Sequence, residues 1–231
     1  MAVAGGPNGI EDGLIFHVDP VQSWTGTTIE NLASRFNPSL NQFAASFDGA
    51  VDMTDKFGVL TYNGSTQWWQ YPVGSYVPNI GGTYGGNSFT MEGWWASTNN
   101  NRGMTPSSNG IDNWIGTNSS RLYVFVTERA DVNNASLFST AGSMPSDGTW
   151  THWVVTMYDD TVTMYINGKF NSVHVRPYRI ARWSGQWRFG QRGNSSGWYQ
   201  GKMGSMKVWN RILTPEEIYQ SYNALKPRYQ Y

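Results

Sequence analysis

Short apolar runs that alternate with polar positions recur along almost the whole chain, each closed by Gly, Pro, Asn or Asp, and this punctuation leaves few folds open. They lie at 13–18, 59–62, 68–71, 88–97, 113–115, 121–127, 136–138, 151–158, 161–166, 169–175, 186–190 and 202–209. Strands this short and closely spaced pair antiparallel, and one domain-sized core made from them is a two-layer sandwich. Asn167-Gly168, between the runs at 161–166 and 169–175, predicts a two-residue hairpin because both turn positions need positive φ. One helix is expected: Thr214 caps it, Pro215 suits its first position and Glu217 completes a capping box. Ile218, Tyr222 and Leu225 share a stripe that would pack on the sandwich edge, ahead of a polar tail at 226–231. The expected fold class is all-β: a two-sheet antiparallel jelly-roll sandwich with a short C-terminal helix. Residues 1–12 read as a Gly-rich flexible arm ordered only by a neighbour, and 13–231 as one domain. Within it, 20–57 reads as an irregular excursion across the sandwich with one or two short strands.

Sixteen basic and sixteen acidic residues cancel, and only 14% of positions are charged, so no long-range field draws in nucleic acid or an anionic membrane. With no cysteine, disulfides, thiolate nucleophiles and Cys-ligated metals are excluded. The first residues lack the basic start and apolar run of a secretory signal, and no stretch has the length of a membrane span. If Met1 is the true start, the expected product is released in the cytoplasm. Twelve Trp, thirteen Tyr and ten Phe exceed what one core absorbs, and the surplus suits a contact surface.

Strand alternation places that surplus. Phe89, Met91 and Trp95 share one face, which reads as core, and Thr90, Glu92 and Trp94 share the other. Trp153, Val155, Met157, Val162, Met164 and Ile166 point inward by the same parity, leaving Tyr165 outward. Leu122, Val124 and Val126 inward leave Tyr123 and Phe125 outward. These outward rings are expected on one sheet face, free to stack on sugar rings, to dock a protein, or to be covered by the 20–57 excursion. A second patch gathers Trp183, Trp187, Trp198 and Tyr199 with Arg176, Arg179, Arg182, Arg188 and Arg192, residue types that anchor interfaces. Solvated arginines beside half-buried tryptophans are the plain alternative.

Several motifs in order resemble the laminin G-like branch of the concanavalin A-like lectin/glucanase superfamily. Phe89-Thr-Met-Glu92-Gly-Trp94-Trp95 is similar to its Phe-Thr-Ile-Glu-x-Trp strand. Trp150-Thr-His152-Trp153 through Asp159 resembles its Trp-His-His-Val strand, and Met164-Tyr-Ile-Asn167-Gly168 its hairpin. Tyr199-Gln-Gly201 through Val208-Trp-Asn210-Arg211-Ile-Leu213-Thr-Pro-Glu-Glu217-Ile218 resembles its C-terminal signature. The family's acidic corner is replaced by Asn63 and Gln67, and Ser205 stands where Asp is usual, so no calcium or other metal is expected.

Glucanases of this superfamily carry paired carboxylates on one strand, whereas Glu92 is alone in its strand, and no catalytic residues are assigned. His17, His152 and His174 have no metal-ligand spacing, and His152 reads as a partly buried strand histidine. No cofactor is implied. A laminin G-like domain without signal peptide or disulfide resembles jelly-roll proteins that tailed bacteriophages mount on capsid or tail. The resemblance implies a non-enzymatic virion structural protein, assembled in host cytoplasm, as a homo-oligomer among other virion proteins. The alternative is a lectin for cell-surface glycans; a glycoside hydrolase comes third. The contact candidates are Glu92, Trp94, Tyr123, Phe125, Tyr165, Trp183, Trp187, Arg188, Arg192, Trp198 and Tyr199.

Overall fold

The computed structural model describes residues 9–25, 28–36, 46–48, 59–65, 67–70, 88–99, 104–108, 111–112, 114–127, 134–176, 186–190 and 198–230. In chain order the strands are β1 (Leu14–Val18), β2 (Trp24–Thr25), β3 (Thr28–Ile29), β4 (Ser46–Asp48), β5 (Leu60–Asn63), β6 (Trp68–Gln70), β7 (Phe89–Ser97), β8 (Met104–Ser108) and β9 (Ile111–Asp112). They continue with β10 (Trp114–Asn118), β11 (Arg121–Thr127), β12 (Asn134–Phe138), β13 (Thr151–Tyr158), β14 (Thr161–Ile166), β15 (Lys169–Val175), β16 (Gln186–Phe189) and β17 (Gln200–Trp209). A 3-10 turn covers Leu32–Arg35 and the helix α1 covers Pro215–Tyr229.

Two antiparallel sheets face each other. One has seven strands in the order β1-β17-β7-β13-β14-β15 with β5 beside β17. The other has eight, β12-β11-β10-β8-β16-β6-β4 with β9 on β8. Met91, Trp95, Trp153, Val155 and Met164 from the first meet Ile115, Leu122, Val124, Val126 and Phe189 from the second in one core. Burying side chains of this size contributes about 1.5–3 kcal/mol each before conformational entropy is counted. Trp95 and Trp153 pack with ring centroids 4.5 Å apart at its centre. The alternation read from the sequence therefore assigns these inward positions correctly.

The Asn167-Gly168 hairpin forms as expected, with φ of 51° and 74°. Its side chain ties it inward: Asn167 Oδ1 accepts the His152 backbone N–H at 3.0 Å. A Cβ on Gly168 would sit 2.9 Å from the Tyr222 ring, so only glycine lets the helix lie this close.

Three expectations are corrected. First, α1 does not pack on the sandwich edge; it lies across the outer face of the seven-stranded sheet, because Trp94, Val59 and Tyr222 there form a second apolar cluster with Tyr229. Second, no loose polar tail begins at 226, since the helix runs through Pro227 to Tyr229. Arg228 clasps Asp19 through two hydrogen bonds, at 2.6 and 3.0 Å. Third, β8 carries Pro106, which masked it in the sequence. β16 pairs with β8 along Met104–Ser107, with Trp187 opposite Pro106, while β10 meets β8 at Met104 and β9 meets it at Ser107 and Ser108.

In the polar 20–57 region the described parts include β2, β3, β4 and the 3-10 turn. Asn31 caps that turn and locks it to β1, accepting from His17 N–H at 2.9 Å and donating to the Ile15 carbonyl at 3.1 Å. Residues 9–12, expected as part of the arm, lie against the sheet. Trp209 Nε1 donates to the Ile10 carbonyl at 2.9 Å, and Arg211 Nε to that of Asp12 at 3.0 Å. Residues 1–8 lie outside the described residues.

Candidate functional site

The outward positions of the two sheets fall on opposite sides of the sandwich, so the expected single aromatic face does not exist. Glu92, Trp94 and Tyr165 point out from the seven-stranded sheet, and Tyr123 and Phe125 from the eight-stranded one. Sharing parity within a strand does not place residues of different sheets on a common face.

On the seven-stranded side α1 seals the face. Trp94 is 0% exposed, with Tyr222 stacked at 5.7 Å and Tyr229 at 4.8 Å. Tyr165 is buried with Val154, Leu213 and Ile218. The cover is chiefly the C-terminal helix, and the 20–57 excursion, one of the expected possibilities, contributes Ala33 to the same cluster. Its close approach depends on Gly204 of β17, where a Cβ would sit 2.5 Å from Tyr229 Oη. That hydroxyl accepts the Ser205 backbone N–H at 2.8 Å, which gives the Ser205 position a structural contact.

Glu92 is the charge at the centre of this sealed layer. Its Oε1 accepts from Ser221 Oγ at 2.8 Å and from Lys207 Nζ at 3.2 Å, and Lys207 also donates to Ser221 Oγ at 3.2 Å. His152, fully buried and not partly so, brings Nε2 within 3.6 Å of Glu92 Oε2. That separation is too long for a good hydrogen bond. Burial pushes the Glu92 carboxyl up, but Lys207, with His152 and Ser221, outweighs it and holds the group well below the usual carboxylate range. His17, with Nε2 3.3 Å from Ser205 Oγ, is pushed down to about 3 by burial and then by Lys207. Serine, histidine, lysine and glutamate do converge here. A carboxylate paired and covered in this way cannot reach a sugar without the helix leaving.

On the eight-stranded side four rings stack in a row across β10, β11 and β12. Phe125 lies on Trp114 at 5.7 Å, Trp114 meets Tyr123 edge-on at 4.1 Å, and Tyr123 stacks on Phe138 at 4.6 Å. Antiparallel register places them there, with Trp114 opposite Phe125 and Tyr123 opposite Phe138. Trp114 and Tyr123 are buried between the end rings, whereas Phe125 and Phe138 are half-buried. Arg121 sits over Phe138 at 6.0 Å, and Tyr123 Oη lies 2.8 Å from the hydroxyl of exposed Ser136. Aromatic pairs of this kind contribute about 0.5–1.5 kcal/mol each beyond their burial. The row is nearly free of formal charge, and it turns at its middle, where the Trp114 and Tyr123 planes stand at 87°.

Trp114 and Phe138 belong to this row although they were not singled out in the sequence. In Trp114-Ile115 both residues are apolar, so alternation alone does not say which faces out. Of the second expected patch, the side chains of Trp198 and Tyr199 are among the described ones. Tyr199 is fully buried in the core against Tyr62 and Trp95, and Trp198 beside it is half-buried. Tyr199 is removed from the contact surface because it fills the space between those two rings. Trp187 and Arg188 lie on β16 opposite Pro106 and Thr105, while Trp183 and Arg192 lie outside the described residues.

At the corner where the acidic residues of the family would stand, the Asn63 backbone N–H donates to Gln67 Oε1 at 2.6 Å. Among the described residues no group of three or more His, Asp or Glu is arranged to hold a metal ion. Among them also, no helix is long and apolar enough to cross a membrane.

The fold recurs in solved structures. The binding domain of Paraclostridial Mosquitocidal Protein 1 superposes with a TM-score of 0.71 at 14% identity, over 93% of this chain and 52% of that one. The receptor-binding domain of botulinum neurotoxin C/D mosaic serotype does so with 0.68 at 10% identity, over 93% and 52%. The binding domain of botulinum neurotoxin DC, solved in complex with rat synaptotagmin II, gives 0.67 at 15% identity, over 94% and 52%. The chain therefore spans about half the length of these solved binding domains. No curated protein matches it. Residues 63–219, which include β7, the β14–β15 hairpin and the start of α1, match the family described as the concanavalin A-like lectin/glucanases superfamily. On that match and this two-sheet sandwich, the chain belongs to the concanavalin A-like lectin/glucanase superfamily.

Proposed function

We propose that the chain is a non-catalytic binding module that engages a cell-surface glycan through the outer face of its eight-stranded sheet. The observation that carries this reading is the pair of half-exposed rings Phe125 and Phe138, backed by the buried Trp114 and Tyr123 and flanked by Arg121 and Ser136. Flat rings bind the apolar face of a sugar at little entropic cost, and hydroxyl and guanidinium groups at the margin supply hydrogen bonds. Hydrolysis is disfavoured by the same structure, since Glu92 is paired with Lys207 beneath α1 and has no second carboxylate on its strand. The likeness to toxin binding domains supports a recognition role at the level of fold.

The setting proposed with it is the surface of a bacteriophage particle, on capsid or tail, where the module would sit among other virion proteins. The resemblance of the sequence to stand-alone phage jelly-roll proteins supports that setting.

A glycan array probed with the purified chain tests the binding role. Retention on defined glycans, lost in a Phe125→Ala chain that is still folded at the assay temperature, is the expected result. An array without a hit, or a hit indifferent to Phe125→Ala and Phe138→Ala, would overturn it. Particle attachment is tested separately, by co-purification at fixed stoichiometry with virions.

A further inference from the structure

Arg121 shares the strand parity of Tyr123 and Phe125, because Leu122 and Val124 between them are core residues. It therefore stands on the outer side of the eight-stranded sheet, with half-buried Asn118 of β10 opposite it. Across β10, β11 and β12 it is the one formally charged residue.

The other arginines of the chain show what this one lacks. Arg35 is held by Glu30 at 2.7 and 2.9 Å, Arg211 by Glu217 at 2.6 and 2.8 Å, and Arg228 by Asp19 at 2.6 and 3.0 Å. Arg121 has no acceptor among the described residues, and its Nε is buried without a hydrogen-bond partner. Its guanidinium rests over the Phe138 ring instead, 6.0 Å from the centroid, and does not cap it, since Phe138 stays half-exposed. A guanidinium laid against a ring keeps its N–H edges for an acceptor. Leaving those donors unpaired in a half-buried place is costly, so the arrangement suits an acceptor that arrives with a ligand.

The register sets this cation beside the two half-exposed rings. Phe138 lies opposite Tyr123, hence diagonal to both Arg121 and Phe125, about 7–8 Å from each between Cα atoms. Arg121 and Phe125 are about 13 Å apart along β11, at ~3.3 Å per residue. The exposed Ser136 hydroxyl lies between these ends, 2.8 Å from Tyr123 Oη. Two apolar rings, a hydroxyl and one cation therefore succeed each other within the length of a short oligosaccharide. The planar fork of the cation matches the oxygens of a carboxylate or a sulfate. One cation on an otherwise uncharged face is too little to hold a polyphosphate backbone, whereas a sugar with one acidic group needs only one.

We propose that the glycan bound by this face is acidic, with Arg121 holding its carboxylate or sulfate while Phe125 and Phe138 hold the sugar rings. The assignment deepens the glycan reading and rests on it. An array of neutral, carboxylate-bearing and sulfate-bearing oligosaccharides, probed with the full chain, should give hits confined to the acidic members. Reducing the carboxyl group of a hit to the alcohol should abolish binding where the anion is a carboxylate, and desulfation should do so where it is a sulfate, which tells the two sources apart. Arg121→Gln should raise the dissociation constant for the same oligosaccharide at least about tenfold, the worth of a charge-assisted hydrogen bond, with an unchanged circular dichroism spectrum. Arg121→Lys, which keeps the charge and loses the fork, should fall between the two. Neutral hits that Phe125→Ala abolishes and Arg121→Gln leaves unchanged overturn the acidic assignment while the glycan reading stands. Acidic hits indifferent to Arg121→Gln overturn the role of Arg121, and an array without a hit overturns both readings.

Discussion

On the outer face of the seven-stranded sheet, Trp94 is stacked between Tyr222 and Tyr229 and has no exposed surface. On the outer face of the eight-stranded sheet, Phe125 and Phe138 close an aromatic row and stay half-buried. Both faces arise from the same strand alternation and carry the same kind of residue. What separates them is α1, whose stripe of Ile218, Tyr222 and Tyr229 turns one of them into a second core. An outward aromatic in a sandwich is thus not by that fact a surface residue: on the side without the helix Trp114 and Tyr123 are buried too, and the end rings Phe125 and Phe138 keep the exposed area. In this chain the polar groups follow the cover: Glu92, Lys207, His152 and Ser221 are collected under the helix.

The sharpest way to break this contrast is to truncate a ring on each side. Trp94→Ala should lower unfolding stability by about 3–5 kcal/mol, the range for a buried large aromatic. Phe125→Ala should cost only about 0.5–1.5 kcal/mol, the worth of its stack on Trp114. Urea denaturation of the two variants measures the difference, and equal losses would mean that both faces are cores. The charge beneath the helix comes next. Lys207→Met leaves Glu92 buried without its ammonium and should cost roughly 3–4 kcal/mol, whereas Lys207→Met combined with Glu92→Leu should recover most of the loss. Thermal melts of the single and double variants decide this, and a single variant as stable as wild type would deny the pair its role.

Acidification should act on the covered face as a smaller effect. His17 is held at about 3 against an ordinary value of 6.5, so its contribution is complete above about pH 6.5 and declines as the pH falls toward 3. Glu92, held below its ordinary 4.5, adds a loss that begins below about pH 4.5, when the unfolded chain takes up a proton that the folded one refuses. Urea midpoints at pH 7, 5 and 4 should fall in that order. In a His17→Gln variant the decline between pH 6.5 and 4.5 should shrink. A flat profile in both proteins would show that these groups do not differ between the folded and unfolded chain.

Much of the fold was legible because strand alternation is a local signal. β13, β14 and β15 coincide with the apolar runs at 151–158, 161–166 and 169–175, and the Asn167-Gly168 turn and the Thr214 capping box appear as expected. β8 was not legible, because Pro106 reads as a breaker until its pairing with β16 is known. Nor was the extent of α1, since Pro227 and the charged residues around it argue for an end that Tyr229 and the Arg228–Asp19 pair override. The candidate site was half visible: Tyr123 and Phe125 were marked by parity, but Trp114 and Phe138 join them only through pairing across strands.

By itself, the sequence determined the class of the fold, the inward set of residues, the main hairpin and the helix start. All of these depend on neighbours a few positions away, where the period of two, positive φ and capping geometry act directly. Which outward residues are buried was decided only by the tertiary structure. That outcome depends on where α1 comes to rest, and it brings Glu92 and Ser221 together from 129 positions apart. No local pattern carries information over such a separation.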